Sequence, residues 1–197
     1  MFATVVLGYA VTIAKEILKD GALAAEAAAL GKEIHDAIEK LAVIRNSRYG
    51  KMYAYEVDGY GQYLLMDDAN VPSLLAMDYI GYDAPDREAV ENTRKFVLSN
   101  ANPYYYEGSC AKGIGSPHTP PEYIWHISLA IQGLTSKTRE EKLAILQLMK
   151  NTDAGKGMMH EGFWVNDPTK YTREWFSWAN AMFCELTLDY CGIRVER

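Results

Sequence analysis

An all-α chain of helical hairpins, interrupted by a short extended hairpin near residues 53–66, is the fold class this sequence predicts. Three observations lead there. Apolar residues recur at three- and four-residue spacing through most of the 197 residues. Gly, Asp, Asn and Pro cut that pattern into helix-length pieces, so that helix, loop and helix alternate from end to end as in a toroid of hairpins. No linker, low-complexity run or internal repeat marks a boundary, and residues 1–197 read as a single domain.

In chain order, Val6, Ala10, Ile13 and Ile17 keep helical spacing until Asp20-Gly21 supplies a stop. From Ala22 to Arg45, the residues Leu23, Ala27, Leu30, Ile34, Ile38 and Leu41 form an apolar stripe. Residues 53–57 and 62–66 flank Asp58-Gly59 and read as the extended hairpin. Asp67 or Asp68 is placed to cap a short helix through Met77. Asp86 opens a helix to about Leu98, ended by Asn100 to Pro103. Pro120-Pro121 begins another, to Gln132-Gly133, with proline in the permitted first turn. Thr135-Ser136 caps a helix from about Arg139 to Lys150, and the last runs from about Arg173 to Tyr190 with Trp178, Met182, Leu186 and Tyr190 on one face.

Composition narrows the classes of function. A hydrophobic share of 49% suits a domain with a sizeable core. The net charge of −6 offers no basic stripe against phosphate repulsion, so neither nucleic acid nor a membrane is an expected partner. The opening run MFATVVLGYAVTIA has no preceding Lys or Arg and is too short to span a bilayer before Lys15 and Glu16. It reads as a buried helix, and the compartment stays open. Cys110, Cys184 and Cys191 are odd in number, lack metal-type spacing and read as small packing residues. His118, His126 and His160 lack a close ligand pair, and Gly113 and Gly115 lack the context of a phosphate loop, so no metal and no cofactor is expected.

Three loop segments mix aromatics with carboxylates, amides and imidazoles, as sugar sites do: ring faces dock on aromatics while hydroxyls need fixed polar groups. Asn151 to Asn180 carries His160, Glu161, Trp164 and Arg173 in a Gly/Asp/Asn/Pro frame. Tyr53 to Asn70 carries Asp58, Asp67, Asp68 and Asn70 among tyrosines, and Asn102 to Trp125 carries His118. Each has a plainer reading. Paired aspartates at a helix start serve as caps, His118 can bond local backbone, and Arg173 can be a surface arginine. His160 either orients Glu161 or meets substrate. Trp164, in a loop, suits a sugar face better than Trp125 or Trp178 on helices.

The strings VDGYGQYLLMDDANVPSLL, NTRKFVLSNANPYY, GIGSPHTPPEYIW, QGLTS, TDAGKGMMHEGFWVNDPTKYTREWFSWAN and CELTLDY resemble glycoside hydrolase family 125. Its members are metal-independent exo-α-1,6-mannosidases that act with inversion on an (α/α)6-barrel fold. The resemblance runs almost from end to end of this chain but spans only about the C-terminal half of a typical member's catalytic domain. It implies an α-mannoside glycan as partner and part of an (α/α)6 barrel as fold. It places the family's base glutamate, in an HES/HEGF-type string, on Glu161. The family's general acid, the Asp of an RPSDDA-type motif, belongs upstream of the string matching Met1-Phe2-Ala3 and is not in this sequence.

Two functions follow as expectations. The chain takes part in releasing terminal α-1,6-linked mannose with inversion, Glu161 acting as general base. Otherwise it is a non-catalytic fragment, or a mannose-binding remnant without its acid. Part of a toroid also leaves apolar helix faces in water, at roughly 25 cal/mol for each Å², and large patches of that kind are rare on soluble monomers. A missing N-terminal half or a second copy is therefore expected to cover them.

Overall fold

A computed structural model describes residues 1–193 and 195. Contacts gather the chain into two compact units, Met1–Leu65 with Met77–Thr93, and Met66–Ala76 with Arg94–Arg197.

The first unit opens on a helical hairpin. Helix α1 (Phe2–Ile13) widens into a π-helical segment, Ala14–Leu18, and Lys19 turns the chain with φ 55°. Asp20 does more than stop the first helix: its carboxylate accepts the Leu23 N–H at 3.0 Å and caps α2 (Gly21–Leu41). The helices meet through small residues. Ala14, Ala24 and Ala27 are buried, and a Cβ on Gly31 would stand 3.4 Å from Leu7 Cβ. The large apolar residues lie elsewhere. Phe2, Val6, Tyr9, Ile13 and Ile17, one helical stripe, are 43–72% exposed, as are Leu23, Leu30 and Leu41 of α2 at 42–46%. The periodicity is right, but the small-residue face is the one covered.

Helix α2 ends at Leu41, short of Arg45, because β1 (Val43–Asn46) pairs antiparallel with β2 (Gly50–Tyr53). Asn46 Oδ1 accepts the N–H groups of Arg48 and Tyr49, and Gly50 takes the φ of 81° that closes the turn. The expected hairpin follows as β3 (Glu56–Val57) against β4 (Tyr63–Leu64). Tyr53 and Tyr82 donate their hydroxyls to Glu39; burial, then the Glu39 bond and charge, holds both phenols above their ordinary range. A short α3 (Met77–Ile80) precedes α4 (Arg87–Val97), which Asp86 caps through the Ala89 N–H.

In the second unit residues 67–76 form turns and not a helix, for reasons given below. Strands β5 (Tyr105–Glu107) and β6 (Lys112–Ile114) pair, and β7 (Tyr123–Trp125), β8 (Gly162–Trp164) and β9 (Asp167–Thr172) form a three-stranded antiparallel sheet. Pro120-Pro121 thus leads into a strand, and helix α5 (His126–Leu134) starts only after it. Thr138, not Thr135-Ser136, caps α6 (Arg139–Asn151) by accepting the Glu141 N–H. Strand β9 takes the residues up to Thr172, so α7 is Ser177–Tyr190 and not a helix from Arg173. The core joins Ile127, Leu129 and Ile131 of α5 to Met149 and Leu186. Gly133 lets α5 and α7 close, since a Cβ there would meet Leu186 Cδ2 at 2.7 Å. Trp178 stays 39% exposed while Ala179, Met182 and Leu186 are buried.

The fold is therefore mixed: helices carrying small antiparallel sheets, where the sequence predicted all-α. The cysteines also differ from expectation, all three being exposed. Among the described residues no helix is long and apolar enough to cross a membrane.

Candidate active site around Glu161

Glu161 stands at the entrance to β8, the central strand of the three-stranded sheet in the second unit. The backbone leading to it is pinned residue by residue. Asn180 of α7 brackets Met159, accepting its N–H at 3.0 Å and donating to its carbonyl at 3.1 Å. The His160 N–H donates to His126 Nδ1 at 3.0 Å. The Glu161 N–H reaches the carbonyls of Thr172 (3.3 Å) and Arg173 (3.4 Å). Gly162 is required beside it: a Cβ there would lie 2.9 Å from Trp125 Cδ1 across the β7–β8 pair.

The Glu161 side chain is 11% exposed, and Arg173 Nε approaches its Oε1 at 3.4 Å. Arg173 holds this place in the left-handed region, φ 44°, which costs a residue with a Cβ about 1–2 kcal/mol. Strain of that kind persists where surrounding structure imposes it. The Arg173 guanidinium also lies 5.6 Å from the Phe176 ring centre, Phe176 meets Trp125 edge-on at 6.2 Å, and the His118 ring is 6.5 Å from Trp125. Trp125 Nε1 donates to Thr119. A carboxylate and a guanidinium thus share a surface with the rings of Phe176 and Trp125 and with an exposed histidine.

A second polar group joins through Ser116. Its hydroxyl accepts the His118 N–H and the Asn70 side-chain amide, each at 3.3 Å. Asn70 in turn gives its backbone N–H to Asp68 Oδ1 and its amide to Oδ2. Asp67 beside it is fully buried and accepts the N–H groups of Leu74 (2.8 Å) and Leu75 (2.9 Å). That pair of bonds folds residues 67–76 into turns around one carboxyl, where the sequence suggested a helix cap. Burial pushes Asp67 up to about 7, against the pull of those two donors.

The remaining sequence candidates fall differently. Asp58 belongs to the first unit, where its Oδ1 accepts the Tyr60 and Gln62 N–H groups and shapes the β3–β4 turn; those bonds hold it below the usual carboxylate range. Trp164 is half-buried, with Lys170 Nζ 4.5 Å from its ring centre and its N–H given to Glu122. His160 is fully buried. Its Nδ1 donates to the Glu174 carbonyl, its ring stacks on Tyr171 at 4.0 Å between centres, and its Nε2 has no hydrogen-bond partner among the described residues. His126 and Asn180 escaped the sequence reading as supports, because each meets its target across 21 to 34 residues of chain. Among the described residues no group of three or more His, Cys, Asp or Glu side chains stands where it could share a metal ion.

The helical frame itself defines a class. It superposes on a bacterial glucoamylase solved with acarbose at a TM-score of 0.71, with 16% identity, over 98% of this chain and 33% of that one. That likeness is one of fold. The chain belongs to glycoside hydrolase family 125, whose model, described as metal-independent alpha-mannosidase, matches residues 1–188. A Streptococcus pneumoniae metal-independent alpha-mannosidase, solved in a non-productive substrate complex with alpha-1,6-mannobiose, is 50% identical with a TM-score of 0.93, covering 98% of this chain and 46% of its own. The meiotically up-regulated gene 157 protein of Schizosaccharomyces pombe is 46% identical over 158 residues, 80% of this chain and 31% of that protein. This chain therefore spans less than half the length of either relative.

Proposed function

We propose that this chain is the C-terminal part of a glycoside hydrolase domain that releases terminal α-1,6-linked mannose with inversion. The observation that carries the reading is Glu161: a nearly buried carboxylate on a pinned strand entrance, paired with Arg173 and flanked by aromatic rings. An inverting enzyme needs a base that draws a proton from water on one face of the sugar, and an acid about 6.5–9.5 Å away that protonates the leaving oxygen. Glu161 is the base. Asp68, Asn70, His118, His160, Trp164 and Arg173 are assigned to substrate binding or to shaping the surface around Glu161, as is Asp67, whose carboxyl also holds a turn. Asp58 is assigned to substrate binding within its own unit, where its carboxylate also holds a turn. No metal and no cofactor takes part.

The acid is an aspartate in sequence outside these residues, and the completed body is an (α/α)6 barrel. The exposed stripe on α1, with Leu23, Leu30 and Leu41 of α2, is the face that the rest of such a barrel, or a second copy, covers. Mannobiose hydrolysis tests this directly. The chain mixed with the N-terminal half of the Streptococcus pneumoniae relative is expected to release mannose from α-1,6-mannobiose in preference to the α-1,2 and α-1,3 isomers. The chain alone is expected to be far slower. Equal cleavage of all three linkages contradicts the assignment.

Arg173 separates function from stability. Arg173→Gly removes the cation beside the base but also relieves the left-handed strain. Its ion pair is 66% exposed on the arginine side and worth well under ~1 kcal/mol. Strain relief and the added freedom of the unfolded glycine nearly offset, so thermal unfolding is expected to stay within about 1 kcal/mol of the parent. Mannose release is expected to fall. A variant as active as the parent removes Arg173 from the site.

A further inference from the structure

We propose that His126 is the positioning residue for Glu161, acting through the backbone of His160. The proposal rests on reading Glu161 as the base. His126 opens α5 and is fully buried. The His160 N–H aims at its Nδ1 at 3.0 Å, so that nitrogen carries the lone pair. Nε2 then carries the proton and donates it to Thr152 Oγ1 at 3.0 Å, and the Thr152 hydroxyl donates to the Leu148 carbonyl at 2.9 Å. Every donor in this run has an acceptor. Moving the proton to Nδ1 would offer it to the His160 carbonyl at 3.1 Å, but would set N–H against N–H at the His160 amide and orphan a buried donor.

Burial also keeps the ring neutral, pushing it down to about 3, so neutral pH does not turn the acceptor into a donor. His160 takes the opposite tautomer. Its Nδ1 faces the Glu174 carbonyl, which can only accept, so the proton sits on Nδ1. The outcome is a strand entrance in which Asn180, His126 and the carbonyls of Thr172 and Arg173 fix three successive amides ending at Glu161. Among the described residues, His126 makes the one side-chain bond to an N–H next to the base. A shift of about 1 Å in a catalytic group costs on the order of 10²-fold in rate, which is what that bond prevents.

The test uses His126→Leu and His126→Asn in the chain mixed with the N-terminal half of the Streptococcus pneumoniae relative. Imidazole ¹⁵N spectra of the parent are expected to show Nε2–H at His126 and Nδ1–H at His160. In His126→Leu the His160 amide is expected to exchange with solvent much faster, and kcat to fall by about 10²-fold with little change in KM. Asn, whose Oδ1 can occupy the place of Nδ1, is expected to restore most of both. An Nδ1–H tautomer at His126 overturns the proposal. So does a Leu variant with parental His160 exchange and kcat, or a folded Asn variant that restores neither. If the Leu variant does not fold, the tautomers and the Asn variant decide. A parent that releases no mannose overturns the role of Glu161, and the tautomer and exchange readouts still judge His126.

Discussion

Glu161→Gln is expected to lower mannose release by about 10²–10⁴-fold, the usual contribution of one general base. The change is nearly isosteric, and the amide oxygen can still face Arg173. The backbone bonds at residues 159–161 do not involve this side chain. Folding is therefore expected to be preserved, and calorimetric binding of α-1,6-mannobiose to persist. Loss of turnover with retained binding marks a residue that acts on the reacting water. Loss of both would make Glu161 a binding or structural group, and parental turnover would move the base elsewhere.

Asp67→Ala has the largest expected effect on stability, about 2–4 kcal/mol, because the buried N–H groups of Leu74 and Leu75 lose their acceptor. The pH dependence has a definite sign. Asp67 titrates at about 7 in the folded chain, against about 3.9 when unfolded. Between those values the folded state holds a proton that the unfolded state has released. Its stabilising contribution is complete below about pH 4 and is lost as pH rises to about 7. Chemical denaturation of the parent is expected to show this decline, and Asp67→Ala to lack it. A parent whose stability rises over that window would show that the two donors outweigh burial.

Helices were legible because their apolar spacing is local. Asp86 at the start of α4 and the Asp58-Gly59 hairpin were read for the same reason. What the helices bury was not legible. The stripe through Leu23, Leu30 and Leu41 suggested a core, while the packed face is made by Ala14, Ala24, Ala27 and Gly31, whose weak hydropathy hides it. Strands β7 and β8 were missed because they are short and pair with each other far along the chain, so no local alternation announces them. Strand β9 pairs with β8 close by, but its residues were read as part of a loop. The β1–β2 turn did have a signal, Asn46 followed by Gly50, but the helix read to Arg45 absorbed most of β1 and left that turn without a strand before it.

The site divides along the same line. Glu161, His160 and Arg173 stood out because unlike chemistries crowd one loop. Asp67 and Asp68 stood out as neighbours, yet one folds a turn around itself and the other holds Asn70 beside Ser116 and His118. Nothing in the spacing of His126 or Asn180 distinguishes a support from an ordinary helix residue. Their roles appear only when β8 brings Met159 and His160 against α5 and α7.

The most direct test of the account is the ¹H NMR spectrum of mannose as it is released from α-1,6-mannobiose by the chain mixed with the N-terminal half of the Streptococcus pneumoniae relative. Inversion with Glu161 as base predicts β-mannose as the first anomer formed, its signal preceding equilibration, and no such signal with Glu161→Gln. Mannose appearing first as the α anomer, or β-mannose formed equally fast by the variant, would contradict it.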